Sequence, residues 1–294
     1  MPTLAIVGPG AIGCTLAAWL SQDPRCQVTI AARTAFSRIE LKTPSGETII
    51  ATPRVILKPE EGKPVDWILV TTKTYDAANA AAWFNSLCGP TTRVAVLQNG
   101  VEHVERFTPF LSPEVILPIV IDCPAERFGP GKVTQRRAGW MAIPESPAGR
   151  TFAALFSHTP LETRLITDFK TEAWKKLCVN SAGALSAILL QPAAISHRAS
   201  IAECMRGIVR ECVAVGRAEG ATLEDDLPDT IVAGYRMAPP DSVNSMHGDR
   251  LAGRPMEIDA RNGVIVRLGK KHRIPTPYNA LVVALLEAYQ EKSG

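Results

Sequence analysis

The sequence predicts an α/β domain built on a parallel sheet, followed by an all-α domain, and three observations predict it. A short apolar run at residues 4–7 enters a glycine-rich turn, an apolar helical stripe follows, and a second apolar run completes a strand, helix, strand unit of about 30 residues. Further short apolar runs, interrupted by Gly and Pro, recur as far as residue 143. From residue 168 onwards strand signals almost cease, and apolar positions recur at spacings of three and four. The expected domains are therefore 1–167 and 168–294, in keeping with a prior of about 150 residues per domain.

Composition excludes several classes. With 294 residues and 46% hydrophobic content, the chain can bury a full core. A net charge of +3, without any run of Lys and Arg, argues against nucleic acid as a partner. The seven cysteines form no CxxC pair and accompany no cluster of His, so they read as buried thiols in a reducing compartment, not as a disulfide frame or a metal site. The N-terminus lacks a basic segment, and its apolar run is broken by Gly8, Pro9, Gly10 and Gly13, unlike a signal peptide. No apolar stretch reaches the roughly 18 residues of a spanning helix. A cytoplasmic protein with no membrane partner is expected, and the apolar helical domain makes a homodimer plausible.

The first turn reads Gly8-Pro9-Gly10-Ala11-Ile12-Gly13, a GxGxxG between a strand and a helix striped by Ile12, Leu16, Ala17 and Leu20. One glycine serves the tight turn, one lets the backbone approach a pyrophosphate, and one lets the helix pack close to the strand. The free N–H groups at the helix start then hold phosphate, so residues 8–13 are the expected dinucleotide cradle. After the second strand, at 28–32, an NAD site would place Asp or Glu to accept from the ribose 2′-hydroxyl. Here the chain has Ala32-Arg33-Thr34. A guanidinium pairs with a 2′-phosphate that a carboxylate would repel, so Arg33 points to NADP, with Arg38 a second candidate.

Residues 65–71 (VDWILVT) read as an inner strand, and Lys73 follows at its C-terminal end, where such sheets bind ligands. An alanine-rich helix is expected over 77–87. A strand over 93–97 ends in Gln98-Asn99-Gly100, so Asn99 stands either at a cleft edge or in an Asn-Gly turn. Strands are expected at 115–121, 132–135 and 140–143.

The helix expected over 168–190 buries Trp174, Leu177, Cys178, Ser181, Leu185 and Ile188. Lys176 and Asn180 stack one turn apart on a neighbouring face, with Lys175 turned about 100° away. Such a pair is either a solvated face or the wall of a cleft. Further helices are expected at 201–219 and 227–237. The next carries Asn244 and Ser245 behind a cap at Asp241 or Ser242, and another runs from Glu257 to Lys271. The last opens at Pro277 and buries Leu281, Leu285 and Ala288. Alone, Glu257 is an ordinary carboxylate at a helix start.

Together, GPGAIG, Arg33, TTK ending at Lys73, QNG with Asn99, WKKLCVN with Lys176 and Asn180, VNSM with Ser245, and EID from Glu257 resemble the ketopantoate reductases (2-dehydropantoate 2-reductases). The match covers both domains in order, and its WxKLxxN and ExD pieces are far more specific than the glycine motif. The resemblance implies an N-terminal Rossmann-type domain, an all-α C-terminal domain, and NADPH-dependent reduction of a 2-oxo acid to a 2-hydroxy acid in pantothenate biosynthesis. It makes Lys176 the proton donor, and has Asn99, Asn180 and Ser245 hold substrate, with Asn244 expected as a further substrate-binding residue. It has Glu257 contact both cofactor and substrate, with Asn99 and Lys73 also at the cofactor.

Two positions depart from the family pattern. Many members carry a second asparagine in a sequence like NxLTAL, where this chain has Gly183-Ala184-Leu185-Ser186-Ala187, and Gln191-Pro192-Ala193-Ala194 also lacks an asparagine often found there. The alternative reading is a paralogous NADP-dependent reductase acting on a different 2-oxo acid or carbonyl compound.

Overall fold

A computed structural model of the chain describes residues 1–291. It divides into two compact units, Met1–Gln98 with Glu102–Phe169, and Asn99–Val101 with the chain from Lys170 onwards.

In the first unit, β1 (Thr3–Val7) leads into α1 (Ala11–Leu20) and β2 (Gln27–Ala31). Three short strands follow, β3 (Ile39–Lys42), β4 (Thr48–Ala51) and β5 (Arg54–Ile56), and then β6 (Trp67–Val70). The helix expected over 77–87 is instead two pieces, α2 (Ala77–Ala81) and α3 (Phe84–Leu87), with Trp83 buried at the joint. After β7 (Arg93–Val96), the single strand expected over 115–121 is two, β8 (Ile116–Pro118) and β9 (Val120–Asp122). β10 (Ala125–Gly129), β11 (Lys132–Gln135), β12 (Trp140–Pro144), α4 (Pro147–Ala154) and β13 (Glu162–Ile166) complete the unit.

The main sheet runs β5-β2-β1-β6-β7-β8 with every pairing parallel. The chain travels outward from β1 to β2 and returns to the other side of β1 for β6. The strand order therefore reverses at β1, the place where such sheets bind ligands beyond their C-terminal ends. Pro118 has no N–H to carry the β8 ladder onward, and the chain crosses over: β8 pairs with β7, whereas β9 pairs antiparallel with β12 in a β13-β12-β9 sheet. A third sheet, β10-β11-β3-β4, packs on α1. With sheets on more than one side, α1 buries Leu16, Ala17, Ala18 and Leu20 completely. Each buried leucine there contributes about 1.5–3 kcal/mol.

The second unit is helical. The helix expected over 168–190 is interrupted once, giving α5 (Phe169–Ala182) and α6 (Ala184–Leu189). Gly183 sits at the break, and a Cβ built on it would lie 2.5 Å from the Tyr235 hydroxyl and 3.0 Å from Asn244 Nδ2. The close approach of those groups is what requires glycine there. α7 (Ala199–Ala218) and α8 (Leu227–Met237) follow. α9 (Ser245–Leu251) is capped by Asn244, not by the expected Asp241 or Ser242.

The helix expected from Glu257 begins with a wide π turn, Asp259–Gly263, before α10 (Val264–His272). That turn buries three consecutive residues, Ala260, Arg261 and Asn262, which the roughly 100° steps of an α-helix would spread around its girth. α11 (Pro277–Glu291) buries Asn279, Val282 and Leu286, while Leu281 and Leu285 are exposed. The apolar face expected from 281, 285 and 288 is thus rotated by one residue. The cause is the polar anchor at its start: Glu211 of α7 accepts from the Tyr278 and Asn279 backbones, and the Asn279 side chain donates to Glu211 and to the Ile208 carbonyl. All seven cysteines are free. Among the described residues, no helix is long and apolar enough to cross a membrane.

Candidate active site

In the first unit the glycine turn lies at the C-terminal end of β1. Gly8 has φ +95°, and a Cβ on it would meet Thr72 at 2.6 Å. A Cβ on Gly13 would strike the Gly8 carbonyl at 2.4 Å and Thr71 Oγ1 at 2.5 Å, because the helix packs tightly against the strand end. Gly10 differs: its nearest neighbour, the Gly8 carbonyl, is 4.0 Å away. The space a side chain would fill there stays open, as a pyrophosphate approaching the backbone requires. The Gly10 N–H donates to the Gly8 carbonyl, and Thr71 Oγ1 donates to the same oxygen at 2.7 Å, fixing the loop. No acidic residue occupies the first turn of α1, and no side chain caps it. Its N-terminal N–H groups and partial positive charge suit a phosphate. Pro9, Ala11 and Ile12 complete this cradle, which fits a dinucleotide.

Arg33 lies just beyond β2. Its side chain is 83% exposed, with Nη2 3.6 Å from Asp76, a loose surface pair of the kind worth about 0–1 kcal/mol. Arg38 is instead held by Glu40 at 2.6 Å. Lys73 follows β6, and its carbonyl accepts from Gln98 Nε2 at 3.2 Å. Gln98 is a residue that sequence reasoning passed over. Its amide also donates to the Thr72 carbonyl and hydroxyl, its side-chain oxygen accepts from Arg106, and its own carbonyl meets His103 Nε2 at 2.9 Å. It ties the ends of β6 and β7 together. Burial lowers the His103 pKa to about 4, with the Arg106 charge acting the same way, so the ring is neutral near pH 7.

In the second unit three of the expected polar residues come together. Asn99 Nδ2 donates to Glu257 Oε2 at 2.9 Å, and Asn180 Nδ2 donates to Asn99 Oδ1 at 3.3 Å. Glu257 is buried, and both ends of the Asn99 amide are occupied. Asn99 is therefore more than an Asn-Gly turn. Lys176 lies one turn before Asn180 on α5 and is half-buried. Its neighbour Lys175 points elsewhere and pairs with Glu224 at 2.8 Å. The helical spacing thus separates the lysine paired with Glu224 from the one stacked a turn before Asn180.

Asn244 and Ser245 are held differently. Asn244 Oδ1 accepts from the His247 N–H, and its Nδ2 donates to the Gly183 carbonyl at 2.8 Å. Both ends of that amide position backbone. Ser245 is exposed, and its hydroxyl accepts from Arg261 Nη2 at 2.6 Å. Arg261 is the second residue that sequence reasoning missed. Arginine ordinarily reads as surface, and here a π turn directs it inward. Tyr235 donates to the Val179 carbonyl beside Gly183, and burial raises its pKa to about 12, with the Arg261 charge opposing that shift.

The comparisons agree with this architecture. The family model described as Ketopantoate reductase PanE/ApbA matches residues 4–148, and its C-terminal counterpart matches residues 168–290. A 2-dehydropantoate 2-reductase from Caulobacter vibrioides is 58% identical over 288 residues, covering 98% of this chain and 99% of that protein. Among solved structures, a PanE/ApbA family ketopantoate reductase from Ralstonia eutropha superimposes with a TM-score of 0.91 at 30% identity, covering 99% of each chain. A dimeric ketopantoate reductase from Staphylococcus aureus gives 0.88 at 27% identity, covering 99% of this chain and 100% of that one.

Proposed function

The chain belongs to the ketopantoate reductase PanE/ApbA family, and from that premise we propose that it reduces ketopantoate (2-dehydropantoate) to pantoate with NADPH, in pantothenate biosynthesis. The observation that carries the reading is the Asn180, Asn99, Glu257 hydrogen-bonded chain, whose Asn180 lies one helical turn after Lys176 on α5. We further propose an NADP preference through Arg33, a cytoplasmic location and a homodimer. The name of the dimeric Staphylococcus aureus relative supports the last.

In this reading the first domain, 1–167, binds cofactor through residues 8–13, Arg33 and Lys73, and the helical domain, 168–294, supplies the chemistry. Bound NADPH supplies the hydride. The ketone oxygen of the 2-oxo acid gains negative charge and must acquire a proton to become the hydroxyl. The Lys176 ammonium stabilises that charge and gives up its Nζ proton as general acid. Asn180 and Asn99 orient the carbonyl, and the Glu257 carboxylate, held by Asn99, faces both the substrate hydroxyl and the cofactor. Ser245 binds substrate from α9, where Asn244 fixes the helix start.

A second reading keeps the chemistry and changes the 2-oxo acid. It is favoured by Gly183, against which Tyr235 packs, and by Ala184, which is fully buried in apolar core, because neither offers the substrate a polar atom. The test is loss of NADPH absorbance with ketopantoate and with a panel of 2-oxo acids. Turnover of ketopantoate above the panel is expected. Preference for another member sinks the substrate assignment, and no turnover with any of them sinks the reaction class.

A further inference from the structure

Two asparagines of the helical unit form a buried polar connection outside the groups assigned to the chemistry. Asn262 and Asn279 are both fully buried. Asn262 Nδ2 donates to Asn279 Oδ1 at 2.9 Å and to the Ser181 carbonyl at 3.2 Å, and Asn279 Nδ2 donates to Glu211 at 2.7 Å. The line Ser181, Asn262, Asn279, Glu211 therefore joins α5, the π turn, α11 and α7. It is kept at a cost, because Asn262 Oδ1 is buried without a hydrogen-bond partner. An apolar side chain of similar size would fill the place without leaving an amide oxygen unsatisfied. What the amide supplies instead is direction, since a hydrogen bond fixes a distance and an angle that apolar contact leaves free.

The two backbones that Asn262 holds together are those that carry the site. Ser181 directly follows Asn180, and its carbonyl lies in the last turn of α5, where carbonyls have no N–H of their own helix to receive. Asn262 belongs to the π turn Asp259–Gly263, which begins two residues after Glu257. Asn180 and Glu257 are linked through Asn99, which enters from the separate stretch Asn99–Val101. One side chain can bond both only if the end of α5 and the π turn keep a fixed spacing.

We propose that Asn262, seated on Asn279, is a positioning residue for the reduction: its bond to the Ser181 carbonyl sets the spacing of Asn180 and Glu257 that Asn99 bridges. It acts through the backbone of α5 and not by contact with substrate. The assignment rests on the reductase reading given above.

The experiment compares wild-type protein with Asn262→Leu, Asn99→Ala and the two combined. In Asn262→Leu, kcat for the 2-oxo acid should fall about 10- to 100-fold, the size of an ångström-scale misplacement, while NADPH affinity read by fluorescence titration holds. In the Asn99→Ala background, where the bridge is already gone, the same substitution should cost less than about threefold. An equal fall in both backgrounds is what a general loosening of the helices gives, and it overturns the proposal. A kcat within about threefold of wild type in Asn262→Leu overturns it too.

NMR of selectively labelled asparagine side chains reads the same geometry without turnover. The Asn99 and Asn180 amide signals should move in Asn262→Leu, and unchanged signals overturn the proposal. If wild-type protein turns over no 2-oxo acid, the reaction assignment fails on its own and these signals alone judge the spacing. If Asn262→Leu does not fold by circular dichroism, Asn262→Ser takes its place, with the same results supporting or overturning the proposal.

Discussion

Asn180 on α5 donates to the side-chain oxygen of Asn99 across 81 positions of sequence, and Asn99 passes its own N–H to the buried carboxylate of Glu257. The middle residue is the one whose loss removes a hydrogen bond from each of two partners. Asn99→Ala leaves Glu257 buried without this donor and Asn180 without this acceptor. The expected result is a fall in kcat/KM of about 10- to 100-fold, the equivalent of losing one charge-assisted hydrogen bond. NADPH oxidation kinetics beside an unchanged circular dichroism spectrum check it.

Adjacent lysines on α5 should separate cleanly. Lys176→Ala is expected to lower kcat on the order of 100-fold or more while NADPH affinity stays close to wild type, as for loss of a general acid. Lys175→Ala removes only the exposed pair with Glu224 and should leave kcat unchanged, with a stability change within about 1 kcal/mol. Equal kinetics in the two variants would remove Lys176 from the mechanism.

Replacing Arg33 tests cofactor choice. Arg33→Ala takes away the exposed guanidinium beyond β2. It should raise KM for NADPH about 10- to 100-fold and leave KM for NADH nearly unchanged, since only the 2′-phosphate loses a charge-assisted partner. A parallel rise for both cofactors would assign Arg33 a structural role.

At Gly183 the expectation concerns stability. A methyl group there lies 2.5 Å from the Tyr235 hydroxyl, so Gly183→Ala should destabilise the protein by about 1–3 kcal/mol, as overpacking does. Removing the obstructing oxygen in Gly183→Ala with Tyr235→Phe should recover part of the loss. Urea melts of the wild type, Gly183→Ala, Tyr235→Phe and the double variant provide the cycle.

The His103 pKa, lowered from 6.5 to about 4 by burial, makes stability depend on pH. Between those values the unfolded chain binds a proton that the folded chain refuses. The stabilisation is therefore present above pH 6.5 and is lost as the pH falls towards about 4. Chemical denaturation at pH 7.5, 5.5 and 4.5 should show this decline, and His103→Gln should flatten it. An equal slope in both proteins would assign the decline to other groups.

The parts that were legible in the sequence are those whose cause is local. The glycines of GPGAIG report a turn and a close helix, and both are read from neighbours in the chain. The stacking of Lys176 and Asn180 on one helix face needed only the helical repeat. Other features have distant causes. The need for glycine at 183 is imposed by Tyr235 of another helix, the rotation of α11 by Glu211 of α7, and the three strands within residues 39–56 by pairing with β11, β2 and one another. Arg261 escaped because a π turn sets its direction, and nothing in the local pattern of EIDARNG announces the extra residue per turn.

Three residues that follow Gln98 belong to the helical unit, and the chain then returns to the sheet for the stretch up to Phe169. One of them, Val101, packs among the apolar residues of α5, α7 and α10. During synthesis Asn99 leaves the ribosome well before the helices it serves. Its partners Asn180 and Glu257 arrive only when most of the protein has been made. A gene cut at residue 168 would yield a helical fragment without Asn99, and a sheet fragment carrying an amide whose partners it lacks. The two halves are therefore stitched by their sequence order, and neither can be exchanged with a relative's half as an independent cassette without taking that short thread along.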